Sequence, residues 1–538
     1  MDEALNLPSG QALRAAARAE NSLAVPAAVV EFPTEVSAGR RRDDEAQDDE
    51  AQAIPLIARL CRELAARQVS YCHWKSNWKL GEWLKGEGDL DLLVDRGDAA
   101  AFTSVVTGLG FKQAEAPRDR EVPGILDFYG FDPAAGRFVH LHVHYQLILG
   151  HDLTKNYHLP VEKPYLESAA EADGLLPTPA PEFEFVLFVL RMVLKYTAAE
   201  TFLRRVRGKK PSAAVRKELE LLEAKSDRAR LLAILEEHLP LIDASFFGAC
   251  VESLRAGRGA WERASVKREL RRRLRAHGRR TQLADTLLKP VRQAARLVRE
   301  RVFKKSSRKR LTNGGTIVAL VGGDGSGKTT CVKELSRWLS KKLVVRRFHV
   351  GKPPRSVLTL AVIVALRIRR GLSKSYAANL DALKHGREHS FPGYLQLVRW
   401  VCAGRDRRRL YAKARRFATN GGISICDRYP VPQLHLMDGP NIARAVEDAR
   451  MNRLVRFLLR AEARCYAEIM PPDVLVVLRL DPETAVRRKT EESELHVRSR
   501  SRELWEVDWE GTRAHVVDTG QPLETVRAEL QSLVWKNL

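Results

Sequence analysis

The stretch that decides the fold is Thr316-Ile317-Val318-Ala319-Leu320-Val321-Gly322-Gly323-Asp324-Gly325-Ser326-Gly327-Lys328-Thr329. Its apolar half reads as a buried strand, and its second half satisfies G-x-x-x-x-G-K-[ST] in full. Glycines allow the tight bend and let backbone amides close on phosphate oxygens with no Cβ in the way. Lys328 adds a point charge for the β- and γ-phosphates, Thr329 a hydroxyl for Mg²⁺, and the next helix, marked by Val332, Leu335, Trp338 and Leu339, aims its positive end at the anion. Chance supplies only about 0.02 such matches in a chain of this length, which leaves little room for a glycine turn without a ligand. The expected nucleotide site is therefore Gly322, Gly323, Asp324, Gly325, Ser326, Gly327, Lys328, Thr329 and Thr330, with ATP and Mg²⁺ as cofactors.

Two further strands converge on this loop. Gly421 to Cys426 is a short strand-like run ending in Asp427-Arg428-Tyr429-Pro430. Ligands in open parallel sheets lie beyond the carboxyl ends of strands, so Asp427 is placed to hold Mg²⁺ or its water and Arg428 to grip an acceptor phosphate. The alternative is a surface ion pair at a strand end. Val474 to Leu480 ends at Asp481-Pro482-Glu483-Thr484, with Asp as helix N-cap and Pro in the first turn. The helix it opens carries Arg487, Arg488 and Lys489. Arg498, Arg500 and Arg502 follow in a charged stretch that reads either as a mobile lid or as a solvated basic helix. The expected catalytic set is Lys328, Asp427, Arg428 and Arg488.

Together with Pro472-Asp473 and Val517-Asp518-Thr519, these motifs resemble thymidylate kinase over residues 314–538. The resemblance implies ATP-dependent phosphorylation of a nucleoside monophosphate, dTMP to dTDP being the leading reaction. It puts Asp324 near the acceptor sugar, Arg428 on its phosphate and Arg407, from Asp406-Arg407, where that family reads the base. Two segments depart from the family pattern: His349-Val350-Gly351-Lys352-Pro353-Pro354-Arg355 replaces Arg-Glu-Pro, and Val431-Pro432-Gln433-Leu434-His435 follows the Asp-Arg-Tyr turn. The donor site is thus better specified than the acceptor. A kinase for a non-nucleotide acceptor, or a nucleotide-dependent switch tethered to an anionic membrane surface, stays open.

Nearer the amino terminus, Gly86-Glu87-Gly88-Asp89-Leu90-Asp91-Leu92-Leu93-Val94 places two carboxylates on one face of a strand, where Asp89 and Asp91 could share a divalent metal. With Lys75-Ser76 upstream, the stretch resembles nucleotidyltransferases of the DNA polymerase beta type over roughly residues 55–260. That family uses a Gly-Ser turn, an Asp-x-Asp strand and a third carboxylate from a later strand. Here Lys75 replaces the glycine, and the later strand Arg137 to His144 offers His140, His142 and His144 where an acid is expected. Since His140 and His144 stand about 13 Å apart along a strand, at most an adjacent His-x-His pair can join the aspartates. Active nucleotidyl transfer, a degenerate binding module and a structural strand pair are all compatible with these residues.

The whole chain has 538 residues, enough for three to four domains, and 44% of them are hydrophobic and 29% charged. At roughly 150 residues per domain, one core cannot hold them all. The net charge of +24 points to polyanionic partners. The expected class is α/β: residues 1–52 a disordered tail rich in Ala and acid, 53–180 an α+β nucleotidyltransferase-like domain, 181–265 a helical extension, 266–312 a basic amphipathic linker, and 313–538 a P-loop domain whose parallel sheet is flanked by helices. Residues 267–310 hold 18 Lys/Arg against 3 Asp/Glu. That segment reads as a solvated linker, a membrane-docking helix or a nucleic-acid binder; the lack of an aromatic platform disfavours the last. Pro290 should kink or restart its helix. The seven cysteines form no C-x-x-C pair and read as buried thiols. The acidic start lacks a secretory signal and no apolar run reaches bilayer length, so a cytoplasmic location is expected, with peripheral attachment at the inner membrane face as the alternative.

Overall fold

The computed structural model describes residues 53–117, 121–169, 175–195, 213–255, 260–301, 308–372, 391–434, 438–446, 451–489 and 493–538. The expected tail, 1–52, lies outside them. In chain order the strands are β1 (Tyr71–His73), β2 (Asp89–Val94), β3 (Lys112–Glu115), β4 (Ile125–Asp132), β5 (Arg137–His144), β6 (Ile148–Leu149), β7 (Tyr157–His158), β8 (Arg310–Leu311), β9 (Ile317–Gly322), β10 (Val345–His349), β11 (Ile423–Asp427), β12 (Val474–Arg479) and β13 (Ala514–Asp518). The chain divides into two compact units. One takes in Tyr71–Leu80 and Gln146–Pro290; the other takes in Gly81–Tyr145 and Val291–Leu538 with the segment before Tyr71.

The first unit is mostly helical. Helix Pro181–Lys195 is apolar on nearly every face and buries twelve of its fifteen residues, which makes it the post around which neighbouring helices pack. A single helix over 219–241 is expected from the sequence, but the chain breaks at Ser226-Asp227. The Asp227 carboxylate accepts the Arg230 amide at 2.9 Å and starts a new helix, Arg228–His238.

The second unit carries two sheets. In the first, β2 pairs parallel with β5, and β4, β3 and β8 continue antiparallel from it. The second is wholly parallel in the order β10-β11-β9-β12-β13. β9 is central and all six of its residues are buried, as its unbroken apolar pattern demands. Strands β2 to β5, on the amino side of the expected boundary at 312, share this unit with the P-loop. The contact is aromatic: Trp338, on the helix after the loop, stacks on Phe138 of β5 (ring centroids 4.8 Å, planes 21° apart) and meets Phe131 of β4 edge-on at 4.9 Å.

Helix Gln282–Arg301 continues through Pro290 rather than restarting there. One amide donation is lost, but the carbonyl it frees belongs to the exposed Thr286, where water can replace it. The helix leaves Leu283, Leu287 and Val291 exposed. Six cysteines are buried free thiols and Cys465 is half-buried. Among the described residues no helix is long and apolar enough to cross a membrane.

Candidate functional site

Strand β9 delivers the glycine loop to the carboxyl edge of the parallel sheet, and the helix Lys328–Leu339 leaves from it. Gly325 (φ +84°) and Gly327 (φ +75°) take left-handed conformations that favour glycine. Gly322 is needed for a different reason, close approach: a Cβ there would lie 2.6 Å from Ser326 Oγ and 2.9 Å from the Leu478 carbonyl oxygen. Inside the loop the Gly323 carbonyl accepts Ser326 Oγ at 2.8 Å and also the Lys328 ammonium. Thr329 and Thr330 are exposed on the first helical turn.

Lys328 is buried, and desolvation pushes its pKa down to about 8 against the partial compensation of Asp324. Below that pH the ammonium is charged and attracts phosphate; above it the cation is lost. ATP affinity is therefore expected to fall as pH rises through about 8, approaching tenfold per pH unit. Calorimetric titration between about pH 7 and 9.5 checks this, and a flat profile would refute it.

A carboxylate and two guanidiniums surround the ammonium. Asp324 is almost wholly buried; its Oδ1 accepts Arg428 at 3.1 Å and its Oδ2 accepts Arg500 at 2.8 Å. Burial alone would raise the Asp324 pKa, but the Arg500 hydrogen bond and the charges of Lys328, Arg500 and Arg428 outweigh it and hold the carboxyl below its usual range. Arg428 follows the last residue of β11 and sits at φ +56°. That conformation is uncommon for a non-glycine residue. It is stabilised by the Arg428 amide donating to the Leu320 carbonyl at 3.3 Å. Asp427 ends β11 in register with Leu320 of β9. Its Oδ1 is buried and meets no hydrogen-bond donor among the described residues, while Oδ2 lies 4.0 Å from His349 Nε2.

The structure thus gathers Lys328, Asp324, Asp427 and Arg428 around one loop, and the other expected groups have partners of their own. Arg488 ends the short helix Pro482–Arg488 and donates to the Thr519 carbonyl at 3.1 Å. Arg407 is engaged in packing: it donates to the carbonyls of Val350 and Gly351, to Asp438 at 2.9 Å and to the Tyr466 hydroxyl. Of the three lid arginines, Arg498 makes a two-pronged ion pair with Glu483 and Arg502 lies 3.9 Å from Glu506. Arg500 is the one that reaches the loop. The segment is an ordered helix, Glu494–Glu506, anchored by Val497, Ser501 and Leu504, with the Ser501 backbone so near Gly323 that a Cβ on the glycine would come within 3.2 Å. No sequence signal ranks Arg500 above its neighbours.

In the amino-terminal strands the two aspartates part company. β2 and β5 align Asp89 with His140 and Asp91 with His142. Asp89 Oδ1 lies 2.7 Å from His140 Nδ1, and His140 Nε2 lies 2.8 Å from Asp127, which Lys309 also pairs. Asp127 is an acid the sequence reading overlooks: a carboxylate early in the apolar run of β4, aligned with His142. Asp91 instead faces His142 Nδ1 at 2.8 Å. In the other unit, Ser76 has a left-handed backbone (φ +59°) and donates its hydroxyl to Glu218 at 3.0 Å.

No family model matches the chain. Two curated relatives, both described as the uncharacterized ATP-binding protein YghR, from Escherichia coli strain K12 and from strain O6:H1, are each 25% identical over 226 residues, covering 40% of this chain and 86% of the relative. Among solved structures, deoxyadenosine kinase from M. mycoides with bound dATP aligns with 16% identity over 40% of this chain and 98% of its own, at a TM-score of 0.26. A likeness that low carries no weight for activity or fold. The parallel sheet with a glycine loop at the end of its central strand rests on the geometry above.

Proposed function

We propose that this site transfers the γ-phosphoryl group of ATP to a nucleoside monophosphate, with dTMP to dTDP as the leading reaction. The observation that carries the reading is the convergence of Arg428 and Arg500, from separate elements, on Asp324 inside the phosphate loop. Phosphoryl transfer needs little covalent help from the protein; it needs cations fixed where charge spreads over the transferring group. Asp324 holds two such cations beside the Lys328 ammonium before any substrate arrives. Lys328 would exchange the Gly323 carbonyl for phosphate oxygens, and Arg428 would turn to the acceptor phosphate. The unpartnered Asp427 Oδ1 and the exposed Thr329 hydroxyl suit Mg²⁺, directly or through its water. When bound, that ion supplies charge neutralisation across the β- and γ-phosphates. The name carried by the curated relatives, an ATP-binding protein, agrees with the donor.

A screen of nucleoside monophosphates with ATP and Mg²⁺, read as ADP release from the full chain, tests the proposal. dTMP is expected to give the fastest release. Arg500→Ala should lower kcat by about 10²-fold while changing ATP affinity by less than about threefold, because its cation acts on the developing charge. Arg488→Ala should change kcat by less than about threefold, since the Arg488 guanidinium holds the Thr519 carbonyl. ATP binding with no acceptor-stimulated ADP release would overturn the kinase reading and favour a nucleotide-dependent switch. The exposed apolar residues on the basic helix Gln282–Arg301 would then suit an anionic membrane surface.

A further inference from the structure

We propose that Asp91, His142 and His144 form a binding site for a divalent transition-metal ion of the zinc class, independent of the P-loop. Strand register builds it. Asp91 on β2 is directly opposite His142 on β5, and His144 lies two residues further along β5, hence on the same face of the sheet. One ligand atom from each residue falls within 4.8 Å of the other two. His142 Nδ1 is 2.8 Å from Asp91 Oδ1, His144 Nε2 is 3.3 Å from His142 Nδ1, and His144 Nε2 is 4.0 Å from Asp91 Oδ1. Metal–ligand bonds of about 2.0–2.1 Å in a tetrahedron set neighbouring ligand atoms roughly 3.3 Å apart, and the three separations bracket that value.

The chemistry of the donors selects the ion. Two imidazoles and one carboxylate suit Zn²⁺ and its transition-metal neighbours, whereas Mg²⁺ and Ca²⁺ prefer oxygen alone. Asp89 and Asp127, which would have made an oxygen-rich site, are engaged by His140, Lys309 and Lys342. Exposure fits three protein ligands with a fourth position open: the His144 side chain is 1% exposed, while Asp91 and His142 retain 17% and 24%. Closed structural sites use four protein ligands; sites that keep a water or admit a substrate use three. A cation here would also be held on strands continuous with the core against Trp338, a rigid support for its ligands.

The test uses the untagged full chain, stripped of metal, without nucleotide. Titration with Co²⁺ is expected to give one equivalent showing the visible bands of a tetrahedral site, displaced by one equivalent of Zn²⁺. Asp91→Asn, nearly isosteric, and His142→Asn should each weaken binding at least about tenfold, with ATP affinity and far-ultraviolet circular dichroism unchanged. Should His144→Gln fail to fold because its ring is buried, the other two variants decide the matter. No Co²⁺ or Zn²⁺ bound by the native chain at micromolar concentration would overturn the proposal. So would equal affinity in the native protein and both variants.

Discussion

Lys328→Ala is expected to lower the rate of ADP release by about 10²–10³-fold, the usual loss when one preorganised electrostatic group is removed from a phosphoryl or acyl transfer site. The fold should be unaffected, and the structure says why. The ammonium is buried unfavourably, as its pKa pushed down to about 8 shows, so its removal relieves desolvation rather than breaking a needed ion pair. The Gly323 carbonyl it leaves still accepts Ser326 Oγ at 2.8 Å. No buried acceptor is orphaned, and the penalty of an unmade hydrogen bond does not arise. Thermal unfolding without nucleotide should match the native protein or lie slightly above it, while the stabilisation conferred by ATP disappears. A variant that unfolds, or one that keeps native turnover, would refute this account of the loop.

The largest expected loss of stability lies where two strands enter the sheet. A Cβ on Gly315 would sit 1.9 Å from the Gly422 carbonyl oxygen, 2.6 Å from its carbon and 2.8 Å from its nitrogen. All three obstacles are backbone, so no rotamer change relieves the clash. Gly422 is itself closely packed, since a Cβ built on it would lie 2.4 Å from the Phe417 ring. Gly315→Ala should therefore cost about 3 kcal/mol or more, at or beyond the upper end for overpacking. Gly314→Ala is the control: its backbone is left-handed at φ +88°, but nothing lies within 4 Å of the added carbon. Strain alone should cost about 1 kcal/mol there. Denaturant titration followed by tryptophan fluorescence measures both, and similar losses for the two variants would disprove the clash.

How much of the site is legible in the chain varies from residue to residue. The loop from Gly322 to Thr330 is local: its strand, bend and helix start are contiguous, and each glycine answers a backbone requirement visible in the motif. Asp427 and Arg428 are nearly as legible, since a strand pattern ending in charge places that charge at a sheet edge. Arg500 is not. Whether it, Arg498 or Arg502 reaches the loop depends on which face of helix Glu494–Glu506 packs on Gly323, and that is set by Val497, Ser501 and Leu504 meeting neighbours distant in sequence. The partners of Arg407, placed by resemblance in a base-reading position, are likewise set by the fold: Asp438, Tyr466 and two carbonyls.

The amino-terminal strands divide in the same way. Alternation alone puts Asp89 and Asp91 on one face, and His140, His142 and His144 on one face, because the period of a strand is two. Which histidine meets which aspartate is a matter of register between β2 and β5, fixed by the burial of the whole sheet and invisible in either strand alone. By itself, then, the sequence determines the phosphate loop, the strands that frame it and the composition of the second cluster, since these follow from neighbours along the chain. Only the tertiary structure decides that Arg500 joins Asp324, that Asp91 joins two histidines while Asp89 is taken by a third, and that the amino-terminal sheet packs against Trp338. Those pairings depend on side chains far apart in sequence being brought together as a common core loses its water.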